Sequence, residues 1–300
     1  LISLHKKKTI GVSEARLGYM LVAPALFCIL MIAIYPILKT LSLSLYSMNL
    51  QSPSDTKFIG LDNFKTLLSD LRFLSAFWNT IKFTVCSVAF ELCVGMVMAL
   101  LMNMKLKGTG VIRAAVLVPW AIPTSVSALM WMFMYNDQYG VVNDILTKLG
   151  IISKNVAWLG QASTAMKAMI FTDVWKTSPF MGLLLLAGLQ GISSDIYEAS
   201  AVDGASKIRQ FFSITLPLLK PTMLVALIFR TIEAFRVFDI VFVMTGGGPG
   251  NSTETLSLYA YKTIFRNLDF GMGSAVAVVI FLFVLVFAFV YIRVLGKDTL

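Results

Sequence analysis

The chain has 300 residues, of which 57% are hydrophobic and only 14% charged, with a mean hydropathy of +0.80. A soluble domain of this length needs far more polar surface around its core, so the composition excludes one. The net charge of +9 invites a nucleic-acid partner, but the placement of the cations along the chain argues against it.

Segments of about 20 apolar residues, each able to cross a hydrocarbon layer of ~30 Å as a helix, recur along the sequence. They predict an all-α, polytopic membrane bundle with spans near 19–40, 78–102, 112–134, 166–189, 218–244 and 272–294. Several contain Pro or Gly, which membrane helices tolerate. The predicted organisation is a tail at 1–18, one six-span domain at 19–294 and a tail at 295–300. Residues 6–35, three lysines and then an apolar run, have the outline of a signal peptide, but the run is too long and is read as a retained first span.

With the N-terminus in the cytoplasm, the cytoplasmic segments carry Lys6, Lys7, Lys8, Arg16, Lys105, Lys107, Arg113, Lys207, Arg209, Lys220, Arg293 and Lys297. The outer segments carry Lys57, Lys65, Arg72, Lys148, Lys154, Lys262 and Arg266. This bias follows the positive-inside rule and puts both termini in the cytoplasm. The basic balance therefore reports topology and not nucleic acid. Cys28, Cys86 and Cys93 fall inside spans, an odd number that argues for packing residues and against a disulfide framework or a metal site. His5 lies in the basic tail, and no nucleophile and base converge on a catalytic centre.

Of the outer segments, 48–76 contains "FIGLDNFKTLLSD", where Asp62 is placed to cap a short amphipathic helix. Segment 135–165 ends in "VAWLG", with Trp158 suited to a membrane interface. Segment 245–271 opens on "TGGGPGNSTET", which predicts a flexible turn followed by a short helix. Its glycines do not form a nucleotide site, since no G-x-x-x-x-G-K-[ST] occurs in the chain.

The fourth and fifth spans are joined by "LQGISSDIYEASAVDGASKIRQFFSITLPLLKP". Asp195 and Glu198 have capping-box spacing, Gly204 is a natural helix stop, Ser206 caps a second short helix, and Pro217 opens the fifth span. Ala199, Ser200 and Ala201 leave one side of the first helix nearly bare. By composition alone an ordinary solvated loop is a better reading than a docking surface.

Glu198, Ala199, Gly204, Ile214, Leu216 and Pro217 stand at E-A-x4-G-x9-I-x-L-P spacing. This resembles the EAA loop of permease subunits from binding-protein-dependent ABC importers. The resemblance extends over nearly the whole chain, through "FIGLDNF", "LVPWAIPTSVSALMW", "VWKTSPF" and "FDIVFVMTGGGPGNSTETL", and is to sugar permeases of the trehalose/maltose kind. Ser200 departs from the family's usual third alanine and Ser193 from a common proline.

The resemblance implies a type I importer permease fold in a bacterial cytoplasmic (inner) membrane. It implies a chain that performs no covalent chemistry and binds no cofactor, with ATP and Mg held by two partner ATPase subunits. Further implied partners are a second homologous permease and an extracytoplasmic sugar-binding protein. Coupling to the ATPases falls to the loop 190–216, at Glu198, Ala199, Ser200, Asp203 and Gly204. A rival class, an ion-coupled secondary transporter, would use the intramembrane acids Glu91, Asp173, Glu233 and Asp239.

Aromatic platforms and hydrogen-bonding groups bind sugars. Asn79, Thr80, Trp120, Trp131, Trp175 and Thr177 lie within or at the ends of spans and suit this, as they also suit helix packing. Trp175 lies beside Asp173 and Lys176 in one helical turn. In the fifth span Arg230, Glu233, Arg236 and Asp239 alternate in sign at steps of three, so neighbours meet along one drifting stripe. A charge at mid-span costs at least ~2.5 kcal/mol in lipid, so the stripe must face protein or water. A structural salt ladder and a pathway lining both satisfy that demand. In the second case Asp239 pairs with Lys176, leaving Arg236 and Glu233 to meet the sugar.

Overall fold

A computed structural model of the chain describes residues 14–104 and 107–295. The expectations for His5, Lys6, Lys7, Lys8, Lys105 and Lys297, and for most of both tails, lie outside the described residues. The fold is helical. Among the described residues, four helical stretches are long and apolar enough to cross a membrane by themselves: Arg16–Leu43, Leu71–Asn103, Lys207–Met244 and Phe270–Arg293. The number rises to 6 when each of two bent pairs, Thr109–Ala121 with Thr124–Met134 and Ala162–Gln190 with Ser194–Val202, is counted as one span.

The first span comprises α1 (Glu14–Ile29), a π-helical turn (Leu30–Ile34) and α2 (Tyr35–Leu43). A two-stranded antiparallel ribbon, β1 (Tyr46–Ser47) with β2 (Lys57–Phe58), follows. Then comes α3 (Asp62–Ser69), in which Asp62 is the first helical residue and Leu61 the cap, so the expected Asp62 side-chain cap is not made. Asp70 caps α4 (Leu71–Asn103) instead, its Oδ1 accepting from the Arg72 amide at 2.7 Å.

The expected third span is not one helix. It is α5 (Thr109–Ala121) and α6 (Thr124–Met134), bent by 89°. Pro123 lacks an N–H and drives Ile122 into an extended conformation (φ −73°, ψ 135°), which ends α5. After α7 (Val141–Lys148) comes α8 (Ala162–Gln190), the long partner of α4. The two cross at Gly95 and Gly182. A β-carbon on Gly95 would come within 2.7 Å of Met181 Cγ, and one on Gly182 within 3.2 Å of the Gly95 carbonyl oxygen. Small residues let membrane helices approach this closely.

At one end of the bundle lie α9 (Ser194–Val202) and α10 (Lys207–Gln210). Ser193, not Asp195, caps α9: its Oγ accepts from the Asp195 amide. Gly204 takes φ 78° and the chain closes a full Schellman turn, with Gly204 N–H to Ala201 O (3.0 Å) and Ala205 N–H to Ser200 O (2.9 Å). From α10 the chain runs through a π turn (Phe211–Thr215) into α11 (Leu216–Phe235).

The fifth span is also broken. Arg236 (φ −99°, ψ 18°) ends α11, and Asp239 begins a separate helix, α12 (Asp239–Met244). The Val237 carbonyl, released from the helix, accepts from Thr255 Oγ1 at 3.2 Å. Asp239 therefore does not continue the Arg230–Glu233 stripe on one helix, as the spacing predicts. The chain ends with α13 (Leu256–Tyr261), a π turn and α14 (Phe270–Leu295). Apolar side chains such as Phe281, Leu285 and Phe289 point outward from α14, as a lipid-facing helix requires.

Candidate functional site

Arg230 of α11 is buried at the centre of the bundle. Its Nε and Nη2 form a bidentate pair with Glu91 of α4, at 2.6 Å and 2.7 Å. Nη1 donates to Glu233 Oε2 at 2.7 Å, and Nη2 lies 3.4 Å from Asp173 Oδ2 on α8. Thr177 Oγ1, one turn beyond Asp173, donates to Glu91 Oε1 at 2.6 Å. Bidentate guanidinium pairing fixes both geometry and partner, so one side chain ties α4, α8 and α11 together. Glu91 is fully buried, whereas the Glu233 side chain is 55% exposed.

Glu233 opens onto a polar cavity of about 350 Å³, lined from α5, α6, α8, α11 and α12. Its walls carry three carboxylates (Asp173, Glu233, Asp239) and three cations (Lys176, Arg230, Arg236), with Trp120, Thr124 and Phe238 beside them. Both broken spans meet here. Trp120 and Thr124 flank the α5–α6 bend, and Arg236 and Asp239 flank the α11–α12 break. In an unbroken helix the Trp120 carbonyl would accept from the Thr124 amide; at the bend it faces Lys176 Nζ at 3.4 Å. Non-helical backbone at membrane depth is tolerated where it lines such a cavity.

The expected Lys176–Asp239 ion pair is not formed: both line the cavity, but no contact within 4.0 Å joins them. The other pathway candidates divide. Trp120 lines the cavity, its ring stacked on Phe180 with centroids 5.6 Å apart. Trp131 and Trp175 pack edge to face at 5.5 Å in an aromatic cluster with Tyr135 and Phe171, apart from the polar lining. Asn79 is buried and donates to Glu254 O at 3.1 Å, so it holds the 245–255 turn and does not face the cavity.

That turn is packed and not the flexible one its glycines predict. Thr253, Glu254 and Thr255 are buried. Glu254 accepts from Arg72 Nε (2.7 Å, at Oε2) and Nη2 (2.8 Å, at Oε1), and Lys262 Nζ lies 2.8 Å from the same Oε1. Burial alone would raise the Glu254 carboxyl, but the hydrogen bonds from Arg72 and Lys262 outweigh it and hold the group below its ordinary value. Sequence reasoning missed this triad. Arg72 and Glu254 are 182 residues apart, and nothing in either local pattern links them.

At the far end of the bundle, Glu198, Ala199, Asp203 and Gly204 are exposed on α9 and its closing turn, while Ser200 is half-buried. The model of binding-protein-dependent transport system inner membrane components matches residues 91–297, from Glu91 through the cavity helices and α9. The chain belongs to that family.

This permease is 49% identical over 263 residues to the trehalose/maltose transport system permease protein MalF of Thermococcus litoralis, covering 87% of this chain and 88% of the relative. It is 42% identical to the sulfoquinovosyl glycerol transport permease SmoG of Agrobacterium fabrum, covering 95% and 92%. It is 40% identical to the trehalose transport permease SugA of Mycobacterium tuberculosis, covering 95% and 90%. Among solved structures it shares the fold of a bacterial alginate ABC importer, with a TM-score of 0.80 at 23% identity over 95% of this chain and 96% of that one. The same kind of transporter bound to a periplasmic protein carrying an alginate pentasaccharide gives 0.79 at 24%, over 92% and 93%. The permease is a transport component and not an enzyme, and it belongs with multi-pass inner-membrane proteins.

Proposed function

We propose that this permease forms half of the pathway of an ATP-driven importer for a neutral di- or oligosaccharide such as trehalose or maltose. The observation that carries the reading is the polar cavity at the two broken spans. Its walls carry carboxylates and cations in equal number, with Arg230 also paired to Glu91 behind it. Such a wall offers donors and acceptors to hydroxyl groups and little net attraction to an ion of either sign. Two of the relatives, named for trehalose/maltose and for trehalose, point the same way, while the one named for sulfoquinovosyl glycerol is named for an anionic sugar.

In this reading the other half of the pathway comes from a second, similar permease, and an extracytoplasmic binding protein delivers the sugar at the end that carries the 245–271 segment. Of two ATPase subunits, holding ATP and Mg, one docks on the exposed face of α9 with Glu198 as its polar contact and the other on the second permease. Their closure moves α9, and the cavity opens to one side or the other by rigid-body rearrangement. Both termini lie in the cytoplasm. The ion-coupled alternative is not favoured. Three of its four carboxylates share the Arg230 guanidinium, and the family is one served by binding proteins.

Reconstitution of the complete complex in liposomes tests the proposal. Labelled trehalose or maltose should accumulate only with ATP on the ATPase side and binding protein on the other. Accumulation driven by a proton or sodium gradient without ATP would overturn it.

A further inference from the structure

α9 turns two side chains inward one helical turn apart. Tyr197 and Ser200 are half-buried, while Glu198, Ala199 and Val202 face outward. The inward pair is bonded across the turn to the next helix. Gln210, the last residue of α10, donates from Nε2 to Ser200 Oγ at 2.8 Å and to Tyr197 O at 3.1 Å. Ser200 Oγ gives its own proton to Tyr197 O at 2.8 Å. Tyr197 Oη lies 3.0 Å from Oγ1 of the buried Thr215. Thr215 Oγ1 also faces the Gln210 carbonyl at 3.4 Å, and either hydroxyl can donate in the shorter Tyr197–Thr215 contact.

Thr215 closes the π turn Phe211–Thr215. Such a turn widens a helix, leaves its hydrogen bonds poorly matched and often marks a functional site. From it α11 runs, past Pro221, to Arg230 and Glu233 at the cavity. The side chains that hold α9 thus also clamp the π turn that opens the helix reaching the cavity.

We propose that Tyr197, Ser200, Gln210 and Thr215 are positioning residues that brace α9 against the π turn, so that α9 and α11 move as one body. The inference rests on the reading of α9 as the ATPase contact. It also gives a role to the serine that replaces the family's usual alanine: alanine at position 200 would offer Gln210 Nε2 no side-chain acceptor.

The test uses the complete complex in lipid nanodiscs, with spin labels at Val202 of α9 and Leu218 of α11, both exposed. The brace predicts one narrow label-to-label distance that is the same without nucleotide and with ATP trapped. Gln210→Met and Thr215→Val should broaden it and lower binding-protein-stimulated ATP hydrolysis about threefold to tenfold, the range expected for lost part-buried hydrogen bonds. Thr215→Ser keeps the hydroxyl and should restore both readouts. The Ser200→Ala/Gln210→Met double variant should be no worse than the poorer single one, because the two side chains act as one pair. Gln210 is only half-buried, so its variant carries the test even where Thr215→Val fails to assemble. A narrow distance and full stimulation in Gln210→Met would overturn the brace while leaving α9 docking intact. Failure of a cysteine at Ala199 to cross-link to the ATPase subunit would overturn the docking and the brace together.

Discussion

Three carboxylates share the Arg230 guanidinium, and their exposure divides them. Glu91 is buried behind it and Asp173, though buried, reaches the cavity wall, while Glu233 opens onto the cavity with Arg236 and Asp239. The charge ladder is thus half structural tie and half cavity lining. Removing one partner from a buried pair leaves the other charge uncompensated, at a cost of about 3–5 kcal/mol. Glu91→Ala and Arg230→Ala should therefore lower the melting temperature and the yield of assembled complex, as read by thermal-shift size-exclusion chromatography. Unchanged melting in both would remove the tie. The Arg230–Glu233 half was legible, because a step of three on one helix fixes its own geometry. Glu91 lies 139 residues from Arg230, and that pairing depends on where three helices cross.

The Glu254 triad yields a pH prediction. Its carboxyl is held below the ordinary value of 4.5 by Arg72 and Lys262. A depressed folded-state value means the contact contributes stability fully above that ordinary value and loses it as pH falls through the folded one. Hydrogen exchange of residues 246–255 should therefore stay slow down to about pH 4.5 and accelerate only in more acid solution. In Glu254→Gln it should be faster at neutral pH and change little on acidification. Equal protection of wild type and variant at pH 7 would remove the role of the triad.

Among the elements, apolar run length revealed six segments but not their interruptions. Pro123 makes the α5–α6 bend readable in hindsight, since the residue before a proline is pushed out of the helical region. The α11–α12 break has no proline or glycine at Arg236, Val237 or Phe238. It is stabilised from outside, by the Thr255 hydroxyl on the Val237 carbonyl, and no local pattern announces such a contact. The turn after α9 is the opposite case: the glycine at position 204 marks the left-handed residue in the sequence itself. Gly204→Leu puts a bulky side chain at φ 78°, a strained conformation for any residue with a β-carbon. Glu198→Lys reverses the exposed charge on the same helix. Both variants should insert normally yet show ATP hydrolysis no longer stimulated by binding protein, or release the ATPase subunits. Normal sugar uptake in both would return α9 to an ordinary surface loop.

For the whole molecule, the alternation of helices puts α3, α7 and the 245–255 turn at one end and α9 and α10 at the other. The cation bias assigns sides to those ends. Single cysteines introduced without Cys28, Cys86 and Cys93 should be labelled from outside at position 252 and from inside at position 209. Labelling of position 252 only from inside would invert the topology. The central claim is that sugar passes the charge-balanced cavity between the two broken spans. Uptake of labelled trehalose or maltose by complexes carrying Arg236→Ala or Glu233→Gln tests it most directly, because both side chains line that cavity and neither forms the bidentate tie with Glu91. A fall in uptake of about tenfold or more, with assembly and basal ATP hydrolysis retained, is the predicted result for the loss of charge-assisted hydrogen bonds to the passing sugar. Wild-type uptake in both variants would contradict it.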